Sequence, residues 1–305
     1  MTAAPTIVGA GLAGLLAAHA WPKAEILESS PEARPTHRAL LRFRGDSVAK
    51  LTGIDFRRVR VRKGISLAGS FVAPSIRVAN LYAQKCLGSL VPDRSIWNLD
   101  AVDRWIAPED FYERLIDSVG WRVHWGVAAD FGRTNRGPLI STAPLPAALN
   151  ETGLGDRLPP VNFEFAPIEV KRFRVPRADV FQTIYFPGGE TGVYRASITG
   201  DLLICESAFG RPFSGDDLDI VCTAFGLRGD PSAIDTASQR FGKIAPIDED
   251  ARKEFVWRLS HEHSVFSLGR FATWRNILLD DVVEDIAVVR RLLRSNSYDL
   301  RKAAS

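Results

Sequence analysis

The sequence predicts an α/β chain in which a parallel-sheet domain is interrupted by a second, largely antiparallel β-sheet domain. Three observations predict it. The chain opens with a strand, a glycine-rich turn and a small-residue helix, TIVGAGLAGLLAAHA; from 161 to 207 the period changes to two; and the C-terminal block returns to a strand, a loop and an amphipathic helix. Parallel elements at both ends with a meander between them imply a discontinuous layout. The first domain is expected over 1–64, 101–150 and 240–305, and the second over 65–100 and 151–239.

In the opening element Gly9 permits a tight exit from the strand, Gly11 lets the backbone approach a pyrophosphate, and Gly14 with Ala18 lets the helix pack closely on the sheet. Leu12 and Ala13 open that helix, where unpaired amides and the positive dipole end favour an anion. AEILES follows as a second strand. It ends in Glu28, beside Ser29, at the distance where a carboxylate accepts ribose hydroxyls and disfavours a 2′-phosphate. The order predicts a Rossmann-like domain for a flavin or nicotinamide dinucleotide. The bland alternative is a glycine-rich turn without a ligand. A cleaved leader over 7–18 is disfavoured, because no Lys or Arg precedes the apolar run and its glycines are spaced for a turn.

The chain has 305 residues, 46% of them hydrophobic, enough for two domains with real cores. No stretch reaches the roughly 18 to 20 apolar residues of a membrane helix. Cys86, Cys205 and Cys222 neither pair nor form a metal spacing, and His261 and His263 lack partners for a zinc site. No metal is expected, and a reducing, cytoplasmic compartment is. The segment 34–63 carries ten Lys or Arg against Asp46 and Asp55 alone. Within it Arg58, Arg60 and Arg62 should share one strand face and Val59 and Val61 the other. Such a patch is either a charge-guarded strand edge or the site of a phosphate-rich ligand.

The stretch 65–100 is mixed, with turn signals at Gly69, Pro74 and Pro92. APEDFYERLIDSVG reads as a helix with Pro108 and two acids at its start, an apolar face of Phe111, Leu115 and Val119, and Gly120 as its stop. WRVHWGV is then a strand carrying Val123, a candidate cofactor contact. GPLISTAPLPAAL brings a short strand to Thr142 and Ala143, where a strand returns beneath a nucleotide, and Pro144 ends it. NFEFAPIEVKRFRV, DVFQTIYFP, GVYRASIT and LLICES form the antiparallel meander. DDLDIVCTAFGL and DEDARKEFVWRLSHEH are helical. The last strand ends at Gly269-Arg270, and the final helix has acids Asp280 and Asp281 at its start and arginines at its end, matching the helix dipole.

With these motifs the chain resembles the glutathione-reductase-2-type flavoproteins, the superfamily of amine oxidases and UDP-galactopyranose mutase. VGAGLAGLLAA with Glu28 is similar to their FAD fingerprint, STAPLP to their strand after the second nucleotide contact, and SLGRFATWRNILLDDVVEDI to their final motif. FPGGETGVYRASIT and GKIAPID also look mutase-like. The resemblance implies bound FAD, with Gly269 and Arg270 near the flavin and the helix start at Leu279 near its pyrimidine edge. Those families carry Gly-Gly-Arg or Gly-Gly-Asn after the acid; this chain has ESSPEARPTHRALLRFRG, so Arg38, Arg42 and Arg44 are the candidates for that phosphate and flavin-edge role. Trp274 either stacks over the ring system or fills the core. HRALLRFRGDSVAKLTGI and IWNLDAVDRWIAPEDFYERL resemble bacteriophage flavoproteins, some of which serve thymine hypermodification in phage DNA, placing them in the host cytoplasm.

The resemblance implies an FAD-dependent oxidoreductase acting on a carbon–nitrogen bond. The meander would face the flavin, with Tyr185, Tyr194 and Arg195 as substrate contacts and Lys243 holding a water. Arg195 would grip a carboxylate bidentately. The partner would be a small-molecule amine or a modified DNA base, the latter held through 34–63. One alternative is a mutase-like isomerase using reduced FAD on a sugar nucleotide. The other is a non-catalytic flavin-binding subunit.

Overall fold

A computed structural model describes residues 4–33, 39–90, 96–132, 137–175, 180–208, 210–211, 213–228 and 231–294. In chain order the first half contains β1 (Thr6–Val8), α1 (Leu12–Ala20), β2 (Ile26–Glu28), β3 (Arg42–Phe43), α2 (Ser47–Thr52), β4 (Arg57–Leu67), β5 (Ser70–Phe71), α3 (Ile76–Leu87), β6 (Val102–Ile106), α4 (Phe111–Val119), β7 (Val123–Trp125) and β8 (Leu139–Ser141). The second half contains α5 (Leu145–Glu151), β9 (Phe165–Arg174), β10 (Val180–Tyr185), β11 (Val193–Gly200), β12 (Leu202–Ala208), α6 (Gly215–Phe225), β13 (Ser232–Ile244), α7 (Glu249–His263), β14 (Val265–Ser267) and α8 (Leu279–Arg294).

The first sheet runs β14-β8-β1-β2-β7 with every pair parallel, as the predicted class requires. Short apolar strands of this kind are buried on both faces. One face packs on α1, α4 and α8 through Ile7, Leu15, Leu16, Ile26, Leu115, Ile140, Phe266 and Ile286. The other packs Val8, Leu139, Leu145, Leu149, Leu259, Val265 and Trp274. Small residues let α1 lie close to the sheet. Its last carbonyls are satisfied by Arg122, whose guanidinium donates to Ala18 O (2.8 Å), Trp21 O (2.9 Å) and Ala24 O (3.0 Å).

The second sheet runs β13-β9-β12-β11-β10-β4-β6-β3, with β5 paired to β4; β10, β11 and β12 form the expected meander, but β9 pairs with β12 rather than with β10. Its membership differs from the expected division at 64, 101 and 240. Strand β4 joins β10 in parallel and β6 in antiparallel fashion, and β13 runs to Ile244. The alternation of β4 explains its place. Val59 and Val61 are buried and Arg58, Arg60 and Arg62 exposed, so one face demands a core. In the sheet the strand stands between two partners, β6 along Arg57 to Val61 and β10 along Arg62 to Ile65. Helix α3 is a further element within 65–100, capped by Ser75, whose hydroxyl accepts from Val78 N (3.3 Å). Its Val78, Tyr82 and Cys86 pack on Ile65, Ile168, Val170 and Tyr194.

Among the described residues no helix is long and apolar enough to cross a membrane, and no group of three or more His, Cys, Asp or Glu is placed to hold a metal.

Candidate functional site

Strand β1 lies between β2 and β8, so the connection direction reverses there and a crevice opens at the carboxyl ends of β1 and β8. Three loops close around it. Gly9 leaves β1 at φ +98°, and a Cβ on it would stand 2.4 Å from Thr142 Oγ1. Thr142 ties both strands by donating its N–H (2.9 Å) and hydroxyl (2.7 Å) to Val8 O. A Cβ on Gly14 would meet Gly9 O at 1.9 Å, so only glycine permits this approach of helix and strand. A Cβ on Gly269, at φ +89°, would stand 2.8 Å from Ala13 Cβ. Gly11 differs: a Cβ there would meet nothing within 4 Å and would project into open space.

Gly11 is also the N-cap of α1, and no side chain caps that helix. The first-turn amides, including those of Leu12 and Ala13, therefore face the crevice with the positive end of the dipole. A dinucleotide pyrophosphate fits this cradle, and a side chain at Gly11 would fill it. Glu28 stands beside it. One carboxylate oxygen accepts from Ala10 N (2.7 Å); the other accepts from Ser30 N (2.8 Å) and Ser29 Oγ (3.3 Å). These bonds orient the carboxylate and leave it about one of its four acceptor positions for a ribose hydroxyl. Ser29 thus stands behind Glu28. Val123, opposite Ile26 in β7, is buried in the core, and Ala143 is half-buried where β8 leaves the sheet.

Several residues assigned to the cofactor lie elsewhere. Trp274 fills the core: it is 2% exposed, donates to Ala245 O (3.0 Å) and packs edge-on against Phe163, so no ring face is left to stack on a ligand. Arg42, in β3 at the end of the second sheet, reaches over that sheet to β10 and β11, donating to Thr183 Oγ1 (2.7 Å), Ile198 O (2.9 Å) and Thr199 Oγ1 (3.2 Å). Arg44 pairs with Asp281. Arg38 lies outside the described residues. Leu279 packs on the core beside α1, and the start of α8 is engaged by its own acids: Asp281 accepts from Leu278 N (2.8 Å) and Asp280 from Arg44 N (2.9 Å). Arg270 follows Gly269 at the crevice loop, against the Phe271 ring.

The substrate candidates do come together, on the face of the second sheet that meets α3 and the first domain. Between Val193 and Arg195 the register with β12 shifts by one residue. This bulge aims Tyr194 and Arg195 at the same carboxylate. Tyr194 donates its hydroxyl to Glu206 (2.6 Å), and Arg195 donates Nε (2.9 Å) and Nη2 (2.6 Å) to it. The bidentate grip expected for a substrate carboxylate is thus taken by Glu206. Lys243 sits 4.2 Å from the Tyr194 ring centroid, and Tyr82 contacts both Tyr185 and Tyr194 edge-on. Glu206 is 1% exposed. Burial pushes its carboxyl up, but the charges of Arg195 and Lys243 and the Tyr194 bond outweigh burial and hold it below the ordinary range. Burial, then the Glu206 charge, push the Tyr194 phenol well up.

Glu206 and Tyr82 were not singled out by sequence. Glu206 carries a signal, as the one acid in the run LLICES, whose neighbours are apolar or small. A cavity of about 330 Å³ opens between the sheets, lined by Leu12 of α1, Leu40 and Leu41, Tyr112 of α4, and Thr199 and Ile204.

No family model matches the sequence, and no curated protein matches it. Solved structures do. Reduced UDP-galactopyranose mutase superposes with a TM-score of 0.65 at 13% identity, over 97% of this chain and 96% of that one. Aklavinone-11 hydroxylase, solved with FAD and aklavinone, gives 0.46 at 14% identity over 88% and 57% of the two chains. An FAD-containing monooxygenase from Photorhabdus luminescens subsp. laumondii gives 0.47 at 12% over 94% and 87%. The chain shares the overall fold of the mutase from end to end.

Proposed function

We propose that this chain is an FAD-dependent enzyme that oxidises a carbon–nitrogen bond. The reading rests on one observation above others: the loops after β1, β8 and β14 converge on an uncapped helix N-terminus where only Gly11 opens onto free space. When bound, FAD supplies a two-electron hydride acceptor. The amides of α1 hold its pyrophosphate, and Glu28 accepts a ribose hydroxyl.

The chain's own work is to hold the amine and move protons. Tyr185, partly exposed and backed by the buried Tyr82 and Tyr194, offers the substrate carbon an aromatic wall. The carbon next to nitrogen loses a hydride and the nitrogen a proton, giving an imine. Lys243 holds a water by donating to its oxygen, and that water adds to the imine carbon, releasing a carbonyl compound and the amine nitrogen. Lys243 and Arg195 in turn help hold the Glu206 carboxyl ionised. An external acceptor removes the two electrons.

A second reading, a mutase-type isomerase acting on a sugar nucleotide with reduced FAD, is favoured by the end-to-end fold likeness to the mutase. A DNA-borne amine, such as an amino acid on thymine, draws support from the exposed row Arg58, Arg60 and Arg62 on β4, in which Asp103 pairs with Arg58 and Arg60. Binding to DNA should then fall steeply with added salt.

The test mixes the oxidised, FAD-loaded protein anaerobically with glycyl-thymine DNA and, separately, with free amino acids. Bleaching of the flavin absorbance with either supports amine oxidation and separates the two sources. An unbleached flavin, with sugar-nucleotide isomerisation appearing only after prior chemical reduction, overturns it in favour of the mutase reading.

A further inference from the structure

The face of the second sheet that meets the first domain carries a group of basic side chains, and the acid set among them, Glu206, lies opposite Arg195. Strand registers set Arg42 opposite Ile106, Arg104 opposite Val59, Lys63 opposite Thr183 and Arg195 opposite Tyr185. Opposed residues share a face, and so do alternate residues along a strand. Arg42, Arg104, Lys63 and Arg195 therefore all rise from one face.

Glu206 neutralises Arg195. The other three are held by neutral oxygens. Arg42 bonds two threonine hydroxyls and the carbonyl of Ile198, and its buried Nε has no hydrogen-bond partner among the described residues. Arg104 donates to the carbonyl of Asp103 (2.8 Å), and Lys63 to the carbonyl of Asn98 (3.2 Å). No carboxylate among the described residues hydrogen-bonds any of the three. They also repel one another: burial, then the charge of Arg195, weakens the hold of Arg42 on its proton, with Arg104 adding to it and Tyr185 and Glu206 opposing. Burial and Arg104 act likewise on Lys63, opposed by Asp100. Like charges gathered on neutral acceptors in a partly dry site are stabilised when an anion arrives.

We propose that Arg42, Lys63 and Arg104 form a subsite for an oxyanion, a carboxylate or phosphate group carried by the substrate. Guanidinium forks match both groups. The inference deepens the proposed function, on which it rests for the reaction, by making the substrate an amine with an anionic arm. It is separate from the cofactor phosphates, which belong at Gly11 on α1.

The experiment titrates the FAD-loaded protein with inorganic phosphate and, separately, with benzoate, reading calorimetry and flavin absorbance. One probe should saturate, weaken as chloride is added, and lose roughly tenfold or more in affinity in Arg42→Met. Saturation by phosphate alone assigns a phosphate arm, and by benzoate alone a carboxylate arm. Arg104→Gln, whose side chain bonds only its neighbour's carbonyl, should weaken the same probe and decides the matter if Arg42→Met does not fold. Absence of saturation below about 10 mM, or undiminished binding in Arg104→Gln and in a folded Arg42→Met, overturns the subsite. FAD retention is read separately from absorbance. If the protein holds no FAD, the same titration on Gly11→Val, with the α1 cradle filled, tests the subsite independently of the cofactor.

Discussion

Gly269 and Ala13 touch so closely that a methyl group on the glycine would stand 2.8 Å from the alanine Cβ. The loop after the last strand is thereby seated on the first turn of α1, and the two ends of the chain build one crevice. Gly269→Ala also strains a residue at φ +89°, so it should lower stability by about 1–3 kcal/mol and release FAD. Adding Ala13→Gly relieves the clash but not the backbone strain. A double-mutant cycle by urea unfolding should recover part of the loss; strict additivity would show that the contact is not felt.

Gly11 and Gly14 should separate binding from folding. Gly11→Val meets no protein atom at its Cβ, so it should fold with little change in melting temperature yet copurify without FAD. Gly14→Ala drives its Cβ to 1.9 Å from Gly9 O and should lower the melting temperature itself. Full flavin occupancy in Gly11→Val would refute the cradle.

Removing the Glu206 charge takes away the carboxylate that opposes Arg195 and Lys243 on a buried face. Glu206→Gln should destabilise by about 3–5 kcal/mol, measured by denaturant unfolding. Tyr194→Phe removes only one bond to that carboxylate, for about 1–3 kcal/mol. Equal losses in the two variants would remove Glu206 from its central place in the network.

Lys85 gives the fold a pH dependence of defined sign. It donates to Phe186 O and Gly188 O, both at 2.7 Å, and burial lowers it to about 8 despite the opposing charge of Glu190. The unfolded chain, with an ordinary lysine near 10.5, binds more protons between those values. Stability should therefore rise with pH from 8 to 10.5, by on the order of 3 kcal/mol, and Lys85→Met should remove that rise. A wild-type profile parallel to that of Lys85→Met would exclude the contribution.

Sequence alone carried the elements whose chemistry is local. The turn at Gly9, Gly11 and Gly14, the acid at Glu28, the alternation of β4 and the neighbouring pairs β10–β11 and β11–β12 each follow from spacing within a few residues, because glycine conformation and side-chain alternation are set by the local backbone. The parallel domain and the inserted sheet were readable for the same reason.

What the tertiary structure decided are pairings between distant strands. Whether β4 borders the first domain or joins the second sheet depends on its strand partners: Val59 and Val61 lie opposite Arg104 and Val102 of β6, and the stretch from Arg62 to Ile65 pairs with β10, more than a hundred residues on. Arg42 and Trp274 have cofactor-like positions in the sequence, yet the fold gives Arg42 to β10 and β11 and Trp274 to the core. Glu206 gained its importance only when a bulge turned two neighbours toward it. Charge and aromatic character mark a residue for a site, but burial and hydrogen-bond partners decide its use, and both are set by long-range packing.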